Sequence, residues 1–386
     1  MNPAPMDDLP SEALDYPFDR SLIATEPARP RDSAKMLVLH RGEDRVEHRS
    51  VRDLPGYLPA GSTIVLNETR VAPLRFIGRR ESDGRVTEGL FITPRQDGWW
   101  EILIKGARRF RAGDRMELLC AHGEAPVGEV IEVRPAQGSG WEGRIISDLG
   151  EGEAFDRSGR TPLPPYILEA RRVRGVAATP DDRDRVDYQT VFARDVVDGG
   201  SLPSCAAPTA GLHFTSDLLA AIAARGVARA SIELQVGPGT FRPIEAPMLS
   251  GHSMHVETCR LRAKDVLLLK GSNPDLSLVV GTTSVRCLES LPWPMPGDLV
   301  EAARGAVEAG DPERVIREFT TDLLVAPGFE FGYTRRLLTN FHLPRSTLLA
   351  LVGALVGLER LKSLYAEAQR CGYRFYSLGD AMLILP

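Results

Sequence analysis

The stretch from Leu74 to about Gly150 constrains the possible folds of this chain most. Short segments rich in apolar and β-branched residues, "LRFIGRR", "TEGLFITPR", "GWWEILIKGA", "DRMELLC", "PVGEVIEV" and "GWEGRIISD", are separated by "SDG", "RAG", "AHGEAP" and "QGSG". Six such segments with turn chemistry between them and no helical period predict a small antiparallel barrel or sandwich. The chain reads differently on either side. Residues 74–160 are therefore expected to be an inserted β domain, and 1–73 with 161–386 a larger, discontinuous α/β domain.

In the flanking parts, "SLVVGTTSVRCLESL" reads as a strand, a turn and a helix, and "LLAAIAARG" as a helix stopped by Gly226. In the strand that follows, Ala228, Ala230, Ile232, Leu234 and Val236 alternate with Arg229, Ser231, Glu233 and Gln235, which predicts one buried and one polar face. With Ser346 as N-cap, a long helix is expected to end near Gly372, and "RFYSLGDAMLIL" to form a last strand pair.

With 386 residues, 43% hydrophobic and 26% charged, the chain has material for two cores and the composition of a globular protein. Its longest apolar run, Leu348 to Leu358, is too short for a bilayer. The N-terminus lacks an export signal, and the cysteines at 120, 205, 259, 287 and 371 form no CxxC pair. A cytoplasmic protein with reduced thiols and no zinc site is expected. A net charge of −5 argues against a generalised nucleic-acid binder and leaves room for a local basic patch.

Several strands end in polar and small residues. "TIVL" runs into Asn67, Glu68, Thr69 and Arg70, "ELQV" into Gly237, Gly239 and Thr240, "LVV" into Gly281, Thr282, Thr283 and Ser284, and "LLT" into Asn340 and His342. In open α/β sheets the crevice beyond the strands' carboxyl ends is where ligands bind. The turn at Gly281 also opens a helix whose free amides favour a carboxylate or phosphate.

Two histidine-bearing stretches add to this set. In "CAAPTAGLHFT", Pro208 and Gly211 bend the chain and Thr215 or Ser216 caps the next helix, which accounts for everything except His213. In "HSMHVE", an extended conformation places His255 and Glu257 on one face, where a carboxylate raises the basicity of an imidazole. Polar catalysis or substrate binding is the favoured reading there, because His252-x-x-His255 lacks a third metal ligand. Rossmann, P-loop and nucleophile-elbow motifs are absent.

Together, "RDSAKMLVLHR", "LNETRVAPLRFIGRR", "PLPPYI", "YQTVFA", "AAPTAGLHFT", "VGPGTFRPI", "HSMHVE", "VGTTSVRCLES", "LLTNFHLPRSTLLALV" and "YRFYSLGDAMLI" resemble the S-adenosylmethionine:tRNA ribosyltransferase-isomerase family of queuosine biosynthesis, in family order. The resemblance implies a larger α/β domain carrying an inserted β-barrel. It also implies transfer and isomerisation of the ribosyl part of S-adenosylmethionine onto 7-aminomethyl-7-deazaguanine at the wobble position of tRNA. Epoxyqueuosine-tRNA is the product, with adenine and methionine released. S-adenosylmethionine is then a co-substrate, no prosthetic group or metal is used, and a monomer without membrane contact is expected.

That chemistry needs a base for the proton beside the sulfonium, for which His255 partnered by Glu257, or His213, is expected, and a proton donor to adenine, for which His342 or His213 is expected. Gly281 to Ser284 or Arg286 suit the methionine carboxylate, and Asn67, Thr240 or Asn340 the ribose hydroxyls. Glu68, Thr69, Arg70, Thr209, Gly211, Gly239 and Asp380 complete the expected binding set. The chain departs from the family pattern at Gln235, Glu68, Asp187 and Ala326 and carries added segments at 171–183 and 195–204. The departures leave open a different acceptor; retention of the strand-end polar residues weighs against a noncatalytic RNA-binding relative.

Overall fold

A computed structural model of the chain describes residues 8–121, 125–176, 181–195, 203–241 and 243–386. Parts of both added segments, 177–180 and 196–202, lie outside the described residues.

The alternating segments close into a six-stranded antiparallel barrel: Arg75–Arg80, Val86–Pro94, Trp100–Ile104, Arg115–Leu119, Pro126–Pro135 and Trp141–Ile146. Closure leaves no free sheet edge. Phe76, Phe91, Trp100, Met116, Ile131 and Val133 fill the interior. The helix Glu151–Ser158 lays Phe155 against Phe91 and Trp100, with ring centroids 5.0 and 5.3 Å apart. The chain enters and leaves at one point, because the Arg75 and Arg160 backbones exchange hydrogen bonds of 3.1 and 2.6 Å.

The remainder is built on a nine-stranded mixed sheet in the order Val315–Thr321, Glu257–Arg262, Ala228–Leu234, Thr63–Asn67, Leu278–Val280, Arg336–Asn340, Ala381–Leu385, Lys35–His40 and Arg45–Ser50. Alternate side chains of its central strands feed two cores. Leu37, Val65, Val279 and Leu337 face one, while Met36, Ile64, Leu66, Leu278 and Leu338 face the other. Such strands are buried on both faces.

This corrects the expected polar face of Ala228–Leu234. Ser231 and Glu233 are buried, and Glu233 pairs with Arg262 at 3.1 Å. The expected long helix after Ser346 is two, Thr347–Val356 and Leu358–Arg370, broken at Gly357, whose φ of +90° ends the first. Ser346 does cap, accepting from Leu349 N at 3.2 Å, as Thr215 does from Leu218 N at 3.1 Å. The expected last strand pair is a single strand, Ala381–Leu385. The Asp380 carboxylate, accepting from Arg374 N at 2.7 Å and Lys35 N at 3.2 Å, folds the preceding residues into a turn instead.

Candidate active site

Ala228–Leu234, Thr63–Asn67, Leu278–Val280 and Arg336–Asn340 run parallel, so their carboxyl ends share one edge of the sheet. Antiparallel neighbours bring the starts of their own strands there: Glu257 near the end of Ala228–Leu234, and Ala381 opposite Asn340. The turn Thr209–His213 packs against Arg336–Asn340.

Asn340 links the two stretches that sequence alone left separate. Its Oδ1 accepts from the Thr209 hydroxyl at 2.8 Å, and its Nδ2 donates to His213 Nε2 at 3.1 Å. Accepting at Nε2 makes His213 a neutral ring protonated at Nδ1. Burial pushes His213 down to about 4, with the Asp380 charge opposing. Nearby, His342 Nε2 meets Thr339 Oγ1 at 2.8 Å, and burial pushes His342 down to about 3. Two phenols fix its backbone: His342 N donates to Tyr365 at 3.0 Å, and Tyr16 donates to His342 O at 2.6 Å. Both rings are uncharged at neutral pH.

The expected His255–Glu257 pair does not form. His255 precedes the strand that begins at Glu257, so a shared strand face does not apply to it. Its exposed ring lies on Gly239, where a Cβ would come within 1.7 Å of His255 Cδ2; only glycine permits this approach. Glu257 is buried and accepts from Gly237 N at 3.1 Å and Thr240 Oγ1 at 2.9 Å, while its other oxygen pairs with Arg286 Nη1. Arg286 Nε donates to Leu323 O at 3.0 Å, and its Nη2 is buried without a partner among the described residues. Helix Thr282–Glu289 starts after Gly281, whose φ of +85° turns the strand end into the helix.

Thr209, Thr240, Asn340 and His342 line two adjoining small cavities of about 40 and 20 Å³, and Gly281, Thr282 and Thr283 line the smaller. Tyr166, Tyr376, Ser377 and Leu348, missed in the sequence, complete the walls. A left-handed φ of 72° at Tyr376 was the structural signal, and no local pattern carries it.

The other expected binding residues do not line the two small cavities. Asn67 is saturated by Leu234, Thr69 and Thr283. Glu68 faces Arg262 and Arg194 at 3.2 and 3.3 Å. Arg70 donates to Arg194 O at 2.8 Å and to Asp195 at 2.5 Å, holding the chain before the second added segment. Thr69 is fully buried, Gly211 packs against Phe192, and Asp380 makes the turn described above. Much larger cavities, about 790 and 660 Å³, flank the barrel junction. Pro238, beginning the turn Pro238–Phe241 that carries Gly239 and Thr240, lines the larger.

The family model described as "Queuosine biosynthesis protein" matches residues 11–384. The S-adenosylmethionine:tRNA ribosyltransferase-isomerase of Gloeobacter violaceus is 41% identical over 99% of this chain and 98% of its own length. That of Erythrobacter litoralis is 40% identical over 97% and 98%. A solved S-adenosylmethionine tRNA ribosyltransferase from Thermotoga maritima is 28% identical, covers 97% of this chain and 100% of its own, and has a TM-score of 0.47.

The chain belongs to the queuosine biosynthesis protein family.

The four residues expected to depart from the family pattern are not among those lining the strand-end cavities. Gln235 donates to Pro203 O at 2.6 Å, fixing the far side of the second added segment. Glu68 belongs to the ion cluster with Arg262 and Arg194, and Asp187 accepts from Arg29 at 2.6 Å. Ala326 is buried in the core. Among the described residues no three His, Cys, Asp or Glu side chains cluster as metal ligands do, and no helix is long and apolar enough to cross a membrane.

Proposed function

We propose that the chain is an S-adenosylmethionine:tRNA ribosyltransferase-isomerase, moving and isomerising the ribosyl part of S-adenosylmethionine onto 7-aminomethyl-7-deazaguanine at the tRNA wobble position, with release of adenine and methionine. The observation that carries this reading is the near full-length likeness to relatives of that name. It acts as a cytoplasmic monomer, without metal or prosthetic group.

His255 is the base for the proton beside the sulfonium. Of the four candidates it is exposed and makes no hydrogen bond within the described residues. Glu257, committed to Arg286, fixes the Gly237–Thr240 turn on which His255 rests. Neutral His213 and His342 are hydrogen-bond partners for the leaving adenine rather than charged acids. The methionine carboxylate takes the amides of Thr282 and Thr283 and the spare Nη2 of Arg286, and the ribose hydroxyls take Thr240 and Asn340. The small strand-end cavities hold part of the co-substrate; its remainder extends past Thr240 to Pro238 and the larger cavity.

The test is incubation with S-adenosylmethionine and tRNA carrying the 7-aminomethyl base, following adenine and the mass of the modified nucleoside. Adenine release with formation of epoxyqueuosine is expected. No adenine release with this tRNA overturns the reading.

A further inference from the structure

Outside one loop the barrel carries slightly more acidic than basic residues. Elsewhere on the barrel most arginines are paired: Arg75 with Glu88 at 2.7 Å, Arg95 with Glu101 at 2.5 Å, Arg134 with Glu142 at 2.7 Å and Arg144 with Glu132 at 3.0 Å, Arg79 being an isolated exception. The segment "GARRFRAGDR", residues 106 to 115, differs. Arg108, Arg109, Arg111 and Arg115 are all exposed and make no ion pair among the described residues. Asp114, the one acid of the segment, is turned inward, accepting from Arg111 N at 3.0 Å and lying 3.9 Å from Arg80.

The loop is also preorganised. Arg109 N and Phe110 N donate back to Gly106 O and Ala107 O at 2.9 and 3.0 Å, and Gly113 N donates to Val133 O at 2.9 Å. Arg80 donates to Arg109 O at 2.6 Å and lies over the Phe110 ring, 5.1 Å from its centroid. Four cations are thus held outward on a chain whose net charge is −5. Arginine forks suit the oxygens of phosphates, and a loop backbone that is already ordered lowers the ordering cost of binding.

Position gives the loop a purpose. Ile104 and Lys105, immediately before it, line the cavity of about 790 Å³ that is also lined by Pro238, two residues from Thr240. A polyanion seated on the loop therefore runs along the mouth of that cavity. We propose that the Arg108–Arg115 loop docks the phosphate backbone of the RNA substrate, so that the nucleotide to be modified enters beside Lys105 and reaches the strand-end site past Pro238. This rests on the tRNA reading above.

The experiment compares wild type with the full-length quadruple variant Arg108→Ala, Arg109→Ala, Arg111→Ala, Arg115→Ala. Titrations of labelled tRNA span about 50 to 200 mM salt, and urea unfolding checks that the variant is folded. Expected are an affinity loss of about tenfold or more and a log–log salt slope shallower by about 3–4, about 0.7–0.9 for each of the four arginines. The KM for tRNA rises while the KM for S-adenosylmethionine does not move. Lysine at the same four positions restores the slope, and Arg304→Ala, on a distant exposed helix face, matches wild type. Wild-type affinity and slope in the quadruple alanine variant, with wild type still releasing adenine on tRNA, overturn the docking proposal alone. Failure of wild type to bind tRNA or turn it over overturns the substrate reading, and docking falls with it.

Discussion

In the inserted barrel the buried residues are Phe76, Phe91, Trp100, Met116 and Ile131; at the strand-end edge of the larger domain they are Asn67, Glu257, Arg286, Asn340 and His213. The first set gains stability by leaving water, at about 25 cal/mol per Å² of apolar surface. The second is desolvated at a cost and is tolerated because nearly every group has a partner. Removing a methyl from the barrel therefore loses a little contact, whereas removing one polar partner from the edge strands another. The contrast also separates roles: a well-packed barrel can present a cationic loop, and a polar edge can position reacting atoms.

The largest test of this contrast is Glu257→Gln. It leaves the buried Arg286 guanidinium without its counter-charge and loosens the Gly237–Thr240 turn. A loss of about 3–5 kcal/mol is expected in urea unfolding, as for breaking any buried ion pair from one side, together with loss of adenine release. Pairing it with Arg286→Met should recover much of the stability and none of the turnover. Unchanged stability in the single variant would show that the pair is not desolvated.

Next in size is a pH effect that the barrel does not share. His213 sits at about 4 when folded and near 6.5 when unfolded, so the unfolded chain binds the extra proton between those values. Stability is intact above about pH 6.5 and falls as the pH drops toward 4, by about 1.4 kcal/mol per pH unit from this one ring. His342, lowered to about 3 by burial, acts in the same direction. His213→Gln should flatten the acid limb of stability against pH by that slope. An acid limb parallel to wild type would mean the ring is protonated in the folded state.

These groups also mark where sequence reasoning reached its limit. The barrel was legible because alternation and turn residues are local signals, and the strand-end positions because polar bursts after apolar runs are local too. The partners were not. Glu233 reads as solvent-facing until Arg262, from the neighbouring strand Glu257–Arg262, is seen to meet it. Glu257 seemed paired to His255, two residues away, yet its partner Arg286 comes from the helix Thr282–Glu289, far along the chain. Tyr166 and Tyr376, whose rings meet edge-on 5.1 Å apart in the cavity wall, are joined only by the fold. Asp380 belongs to a family block and so looked like a ligand, but its oxygens hold a turn.

A third test cuts the link between two stretches that were legible one at a time. Asn340→Ala removes the amide between Thr209 and His213 and leaves a half-buried hydroxyl and a buried ring nitrogen unpaired. A cost of about 1–3 kcal/mol is expected, with a fall in kcat larger than any change in KM for S-adenosylmethionine. A rise in KM with kcat unchanged would assign Asn340 to ground-state binding instead.

The smallest effect belongs to the barrel. Ile131→Val deletes one methyl from a fully buried side chain in the barrel's core. The expected loss is about 0.5–1.5 kcal/mol in urea unfolding, because the removed contact is apolar and leaves no polar group unpaired. Adenine release at saturating substrates should be unchanged, since the strand-end groups are held by bonds within the larger domain. A drop in kcat at this position would mean that barrel packing reaches the strand ends through the Arg75–Arg160 junction, and the two regions would then be one mechanical unit.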